Sequence, residues 1–400
     1  MQVTEPARAF DVLVCGGGVA GVAAALASAR AGMKTALLEK TVLPGGLATT
    51  GLVNIYLPLC DGCGRQVTAG IAEELLHRSL RYRPGVVPPW RESSPERPGP
   101  RYRVTFSPAA FVLALDEALE DAGVDIWFDT LACKPTLSGP RVTGVEVETK
   151  EGRLGFSAGC VIDATGDADV AWRAGAPCEE GTNSLAIWAL EMKTHAAHPH
   201  APDAEPSDKL ARIRLGLRNG GAEDAADWRG TDAAGVTRFV LAGRALLRER
   251  YRSRHAAEGD APRERRYPVA LPAMAQFRTT RRIVGRTTLQ DGEHGRPRAD
   301  SVGLVADWRE AGRVWEVPYG ALIPQKVQGL LAAGRCISSA GDAWEVTRVI
   351  PAAALTGQAA GIAAALAVEH GAAPHTVPAR DIQERLDEAG IPFRLSQVTA

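Results

Sequence analysis

The first residues able to do chemistry in this chain are three glycines. Gly16-x-Gly18-x-x-Gly21 follows directly on the apolar run 11–15, and an alanine-rich segment follows it. In this pattern Gly16 permits a tight turn, Gly18 lets backbone approach a pyrophosphate, and Gly21 lets a helix pack onto the preceding strand. The first N–H groups of that helix, through Val19 and Ala20, lack intrahelical partners and suit an anion. A second apolar run, 34–38, is closed by Glu39 and Lys40, where a carboxylate suits ribose hydroxyls. The arrangement predicts a bound dinucleotide and fits FAD and NAD equally.

Other spacings are less productive. Cys60-Asp61-Gly62-Cys63 has the form of a redox dithiol, but Asp-Gly is turn chemistry and no second Cys pair follows to complete a zinc site. The expectation there is a turn. His195, His198 and His200 lie among Ala and Pro without a carboxylate scaffold, so a solvated loop is expected and no metal. Neither a P-loop nor a Gly-x-Ser-x-Gly elbow is present.

Several elements must position these residues. Strand 11–15, helix 19–30 and strand 34–38 form a βαβ unit. An amphipathic helix is expected over 67–81. The proline-rich stretch 83–100 reads as an exposed loop, and Ser107 caps a helix that begins with Pro108 and runs to about 122. Strand 124–128 follows, then alternating segments 142–148 and 153–156 suggest a hairpin. Buried strand 160–162 runs into Asp163-Ala164-Thr165-Gly166. A helix is expected over 236–255, an apolar run ends in Gly334-Arg335, and Gly341-Asp342 precede an Ala/Gly-rich helix over 350–369.

Composition bounds the rest. Gly accounts for 42 of 400 residues, above the usual ~7%. Lys+Arg number 46 and Asp+Glu 47, a net charge of −1, which gives no overall footprint for nucleic acid and no polybasic membrane patch. Stretch 352–367 is interrupted by Thr356, Gly357, Gln358 and Gly361 and is expected not to span a bilayer. Seven irregularly spaced Cys do not form a disulfide framework, so a cytoplasmic setting is expected.

Five stretches resemble the bacterial FAD-dependent oxidoreductases, a family of glutathione-reductase-like topology related to the fumarate-reductase flavoproteins. They are residues 16–21 with Glu39, 44–54, 163–169, 278–285 and 332–367, and the resemblance covers nearly the whole chain. It implies non-covalently bound FAD. It also implies that Gly45, Gly46, Ala48, Thr49 and Thr50 run along the isoalloxazine, and that Ala164, Thr165 and Gly166 pass near the adenosine end. Gly341 and Asp342 would serve the ribityl–pyrophosphate portion, and the helix start from Arg348 to Ala353 would face the flavin pyrimidine edge. One departure stands out: Arg278-Thr279 occupies a place where the family commonly has Arg-Glu, so no role of that acid carries over.

The expected fold is α/β. A Rossmann-like FAD-binding domain would be built from 1–178 and 320–400, with an inserted α+β substrate or cap region over 179–319. The expected function is hydride transfer between a small organic substrate and flavin N5, with Arg348, Tyr56 and Asn54 as candidate catalytic residues. Three alternatives stay open: a flavin monooxygenase, an NAD-dependent dehydrogenase without flavin, and a non-catalytic FAD-binding electron-carrier subunit. A redox partner and a homo-oligomer stay open as well.

Overall fold

Residues 12–15 and 35–38 are apolar at every position but Thr35, as suits strands covered on both faces, and all eight are buried. They form β1 (Arg8–Cys15) and β2 (Thr35–Leu38), paired in parallel around helix α1 (Val19–Arg30). The structure is a computed structural model. It describes residues 8–82, 94, 96–97, 99, 101–195, 207–216, 228–258 and 266–398. Most of the expected loop 83–100 lies outside them, as do His198, His200 and the side chain of His195.

The contacts divide the chain into two units. The first comprises Met1–Thr49, Asn54–Glu180 and Arg281–Ala400. Its main sheet adds β3 (Asp125–Trp127), β4 (Leu131–Ser138), β5 (Arg141–Thr149), β6 (Gly152–Asp163) and β7 (Leu330–Ala332) to the first two strands. Strands β3, β2, β1, β6 and β7 run parallel in that spatial order. Twelve-residue β6 does two jobs: its first half pairs antiparallel with β5, and its second half lies between β1 and β7. The expected hairpin at 142–156 is this β5–β6 pair. Its neighbour β4 escaped the sequence reading because it is largely exposed, with Pro135 inside it, and shows no clean alternation.

Helix α2 (Ile350–Glu369) covers the sheet beside α1. By length and composition it is apolar enough to cross a membrane, but 83% of its most apolar window is buried inside the fold. Two glycines bring it close to α1. A Cβ at Gly357 would strike the Ala20 carbonyl oxygen, and one at Gly361 would strike that of Ala24. The Ser28 hydroxyl donates to the Ala24 carbonyl at 2.9 Å and reaches the Gly361 carbonyl at 3.3 Å, so this buried hydroxyl is satisfied.

The second unit comprises Thr50–Val53 and Gly181–Thr280. The strands Ser207–Gly216, Ala186–His195 and Arg266–Ala270 form an antiparallel sheet in that order, and Ala233–Glu258 is a long helix. Ile187, Ala189, Ile213, Leu247 and Tyr251 make its core. Buried Glu191 accepts the Tyr251 hydroxyl at 3.2 Å and an Arg250 N–H at 3.4 Å. The unit mixes strand and helix as the inserted region was expected to. Its contacts end at Thr280, however, where the expected boundary stood at 319. The strands Ser301–Ala306 and Val314–Pro318 form an antiparallel pair within the first unit, and the former packs on α2.

Candidate cofactor site

The carboxyl ends of β1, β6 and β7 lie side by side, the place where open parallel sheets bind ligands. Three turns meet at this edge. Gly16 has φ of 107°, and a Cβ there would lie 2.5 Å from the Ala164 oxygen. A Cβ at Gly17 would meet the Glu39 side chain, and one at Gly21 the Gly16 carbonyl. Gly18 differs, because a Cβ there would find nothing within 4 Å. Three glycines of this loop are thus required by packing, whereas Gly18 faces open space. Helix α1 begins beside it with no side-chain cap and no acid in its first turn, and Val19 and Ala20 are buried. The arrangement fits the phosphates of a dinucleotide.

Glu39 is buried and holds this loop in place. One carboxylate oxygen accepts the Gly17 N–H at 2.8 Å; the other accepts the N–H and hydroxyl of Thr41 at 2.9 and 2.8 Å. A carboxylate has about four acceptor sites, so one remains for a ribose hydroxyl. Lys40 beside it is exposed.

The 44–49 turn packs on the loop from the other side. Gly45 donates to the Gly17 carbonyl at 2.7 Å and has φ of 99°. A Cβ at Gly46 would lie 3.1 Å from the Gly18 Cα. Buried Thr49 donates its hydroxyl to the Pro44 carbonyl at 2.6 Å, and Ala48 is buried beside it. Thr50 falls in the second unit, where its carbonyl accepts the Ala273 N–H at 2.9 Å.

At the end of β6, Ala164 donates to the Cys15 carbonyl at 2.9 Å. Asp163 is fully buried and accepts the Thr165 N–H and hydroxyl at 3.1 and 2.7 Å and the Ala171 N–H at 2.8 Å. Burial outweighs these bonds and pushes its carboxyl up to about 6.

The third turn is at Gly334-Arg335, which the sequence marks only as the end of an apolar run. Gly334, with φ of 77°, follows β7 directly, and a Cβ there would lie 2.7 Å from the Ala20 Cβ at the start of α1. Its N–H donates to the Thr356 hydroxyl at 2.9 Å. Arg335 donates to the Gly166 carbonyl and to the Asp167 carboxylate, each at 2.7 Å. Of Gly341 and Asp342, expected to serve the ribityl–pyrophosphate portion, Asp342 donates its N–H to Asp291, accepts from Gly292 N–H at 3.2 Å and pairs with Arg309 at 3.5 Å. The signal that would have found Gly334 is its position immediately after an apolar strand, which Gly341 lacks.

The candidate catalytic residues are committed to structure. Tyr56 is fully buried and donates its hydroxyl to the Ala72 carbonyl at 2.6 Å, so its expected role is corrected to a core one. Buried Asn54 donates its side-chain amide to the Phe106 carbonyl at 2.9 Å and accepts the Phe106 N–H on its own carbonyl. Arg348 pairs with Glu345 one helical turn earlier, and its Nε is buried without a partner. Ala353 lies in the first turn of α2, half-buried.

The Cys60–Cys63 segment is the expected turn. Asp61 is fully buried and accepts the Cys63 N–H at 2.8 Å and the Arg65 Nε at 2.7 Å. Burial and the Asp61 charge push the Cys63 thiol up, the wrong direction for a reactive dithiol. No cluster of metal-ligating side chains occurs among the described residues.

Comparison with known proteins gives the family. A family model described as FAD dependent oxidoreductase matches residues 11–188 and 186–386. No curated protein matches the chain significantly. Among solved structures, a geranylgeranyl bacteriochlorophyll reductase-like protein from Thermoplasma acidophilum is 16% identical, with 96% of this chain and 85% of that one covered and a TM-score of 0.48. The p-nitrophenol 4-monooxygenase of Pseudomonas putida DLL-E4 is 14% identical over 94% and 83% of the two chains, TM-score 0.46. The 3-ketosteroid-Δ4-(5α)-dehydrogenase of Rhodococcus jostii RHA1 is 18% identical over 91% and 98%, TM-score 0.42.

Proposed function

We propose, from the premise that this chain belongs to the FAD dependent oxidoreductase family, that it moves a hydride between a small organic substrate and FAD held non-covalently at the carboxyl edge of the sheet. The observation that carries the binding part of this reading is the open space at Gly18 beside an uncapped, buried helix start. Bound FAD supplies a two-electron acceptor at flavin N5. The chain's own residues do the holding. Gly18, Val19 and Ala20 offer N–H groups and the positive end of the α1 dipole to the pyrophosphate. Glu39 accepts from a ribose hydroxyl on its remaining site while it fixes Gly17. Gly45, Gly46, Ala48 and Thr49 present backbone to the flavin side. Ala164, Thr165 and Gly166 border the adenosine end. Gly334 adds backbone to the same edge, with Arg335 fastening it to the Gly166 turn.

An absorbance spectrum of the purified protein, followed by heat release of its pigment, tests the first half. Bands near ~450 and ~375 nm with FAD in the supernatant are expected; a colourless protein that takes up no added FAD would overturn the reading. Anaerobic titration with a panel of organic reductants tests the second half. Bleaching by one of them, without oxygen or NAD(P)H, supports hydride transfer from substrate. Bleaching only by NAD(P)H, with oxygen consumed in the presence of a substrate, would indicate a monooxygenase instead.

A further inference from the structure

At the amino-terminal end of β7, the edge of the sheet away from the glycine turns, the described residues form a cationic groove. Gly285 and Pro324 form an antiparallel bridge, with Arg286 donating its N–H to the Ile323 carbonyl at 3.0 Å and Gln325 donating to that of Val284 at 3.0 Å. This pairing puts Arg286 and Lys326 on the wall of one cavity of about 380 Å³, together with His375 and the amides Gln325 and Gln328. Arg286 reaches across to the His375 carbonyl at 2.6 Å. Arg141 is joined to Gln328 by a backbone bridge and donates to the Gly159 carbonyl.

The charge pattern is unusual for this chain. Lys+Arg and Asp+Glu are nearly equal, at 46 and 47, and most described arginines in the first unit sit beside a carboxylate. Arg141, Arg286 and Lys326 do not; no ion pair joins any of them to an acid among the described residues, and no acid lines the cavity. His375 registers the same field. Burial first, then the guanidinium charges of Arg286 and Arg141, hold its imidazole below the ordinary value, and its Nδ1 is buried without a partner. Arg286 and Lys326 thus share one cavity wall without a counter-charge, and like charges so placed favour a bound anion.

We propose that this groove is a binding site for a small phosphate-bearing anion. The Arg286 guanidinium suits phosphate oxygens, the Lys326 ammonium adds a point charge, and the Gln325 and Gln328 amides supply neutral donors and acceptors for an attached organic group. The cavity is the size of a small-molecule site. It lies at the other end of β7 from the dinucleotide turns, with the three strand residues Leu330–Ala332 between them, about 10 Å of extended chain at ~3.3 Å per residue.

Isothermal titration of the FAD-loaded protein with inorganic phosphate, inorganic pyrophosphate and AMP, at fixed ionic strength against a chloride control, tests the site. Loading with FAD first keeps the probes away from the glycine turns. Saturable binding of at least one probe is expected, weakened at least tenfold in both Arg286→Gln and Lys326→Gln, with the flavin absorbance of both variants unchanged. Tighter binding of AMP than of phosphate would assign the rest of the cavity to an organic group, and equal binding would assign it to the phosphate alone. Absence of saturable heat from all three probes, or affinities that neither substitution alters, would overturn the proposal. A flavin spectrum lost in the variants would do the same, since the groove would then belong to the FAD site.

Discussion

Glu39 is the side chain on which most of the cofactor loop depends. It spends three acceptor sites on Gly17 and Thr41 and is buried, so its removal frees the glycine turn as well as losing the sugar contact proposed for it. Glu39→Ala is expected to weaken FAD binding at least tenfold, about 1.4 kcal/mol, by fluorescence titration of the apoprotein; unchanged affinity would remove Glu39 from the site. Asp163 makes a prediction of the opposite kind. Its folded value of about 6 lies above the ~3.9 of an unfolded chain, so the fold favours the protonated carboxyl. That contribution is complete below pH ~4 and is lost as pH rises through about 6. Denaturant unfolding should therefore show wild-type stability declining across this window relative to Asp163→Asn, whose side chain does not titrate. Parallel profiles would contradict the burial argument. Both acids were visible in the sequence as strand-ending carboxylates, but the backbone groups that each one holds were not.

At the scale of elements, the contact between α1 and α2 sets how closely the glycine loop and the Gly334 turn approach. Gly357 and Gly361 were read from the sequence only as interruptions of an apolar stretch, because a one-dimensional pattern does not say which face another helix will meet. The structure gives them a reason: each lies against an α1 carbonyl with no room for a methyl group. Gly361→Ala separates two physical effects of opposite sign. Helix propensity alone would stabilise the protein by about 1 kcal/mol, whereas overpacking against Ala24 costs ~1–3 kcal/mol. A net loss of stability is expected in chemical denaturation; a net gain would mean that the helices part easily. The βαβ unit, by contrast, was legible nearly to the residue, since apolar runs bounded by glycines leave little choice of element.

For the molecule as a whole, the carboxyl edge of the main sheet is drawn from stretches far apart in the chain: 16–21, 39–49, 164–167 and 334–335. A ligand held by all of them stabilises the folded state by linkage. With FAD at a hundred times its dissociation constant, the gain should be about 2.7 kcal/mol. Thermal unfolding with and without FAD reads it directly as a rise in Tm. No rise on addition of FAD to the apoprotein would mean that these turns do not form one site. The division of the chain at Glu180 and Thr280 was only partly legible. Composition marks where the charged, weakly patterned stretch begins, but the return point depends on Ser301–Ala306 packing on α2, a contact between distant segments.

The amino-acid sequence by itself determined the βαβ unit, the glycine fingerprint, the acid that closes β2 and the family to which the chain belongs. All of these are local patterns, written within a few turns of backbone. Only the tertiary structure decided that Gly334, and not Gly341, reaches the start of α1, that Tyr56 is sealed in the core, and that Arg286, Lys326 and His375 share one groove. Those depend on which distant strands become neighbours. Once β7 pairs with β6, the residues at its two ends are assigned to opposite edges of the sheet, and no spacing along the chain records that pairing.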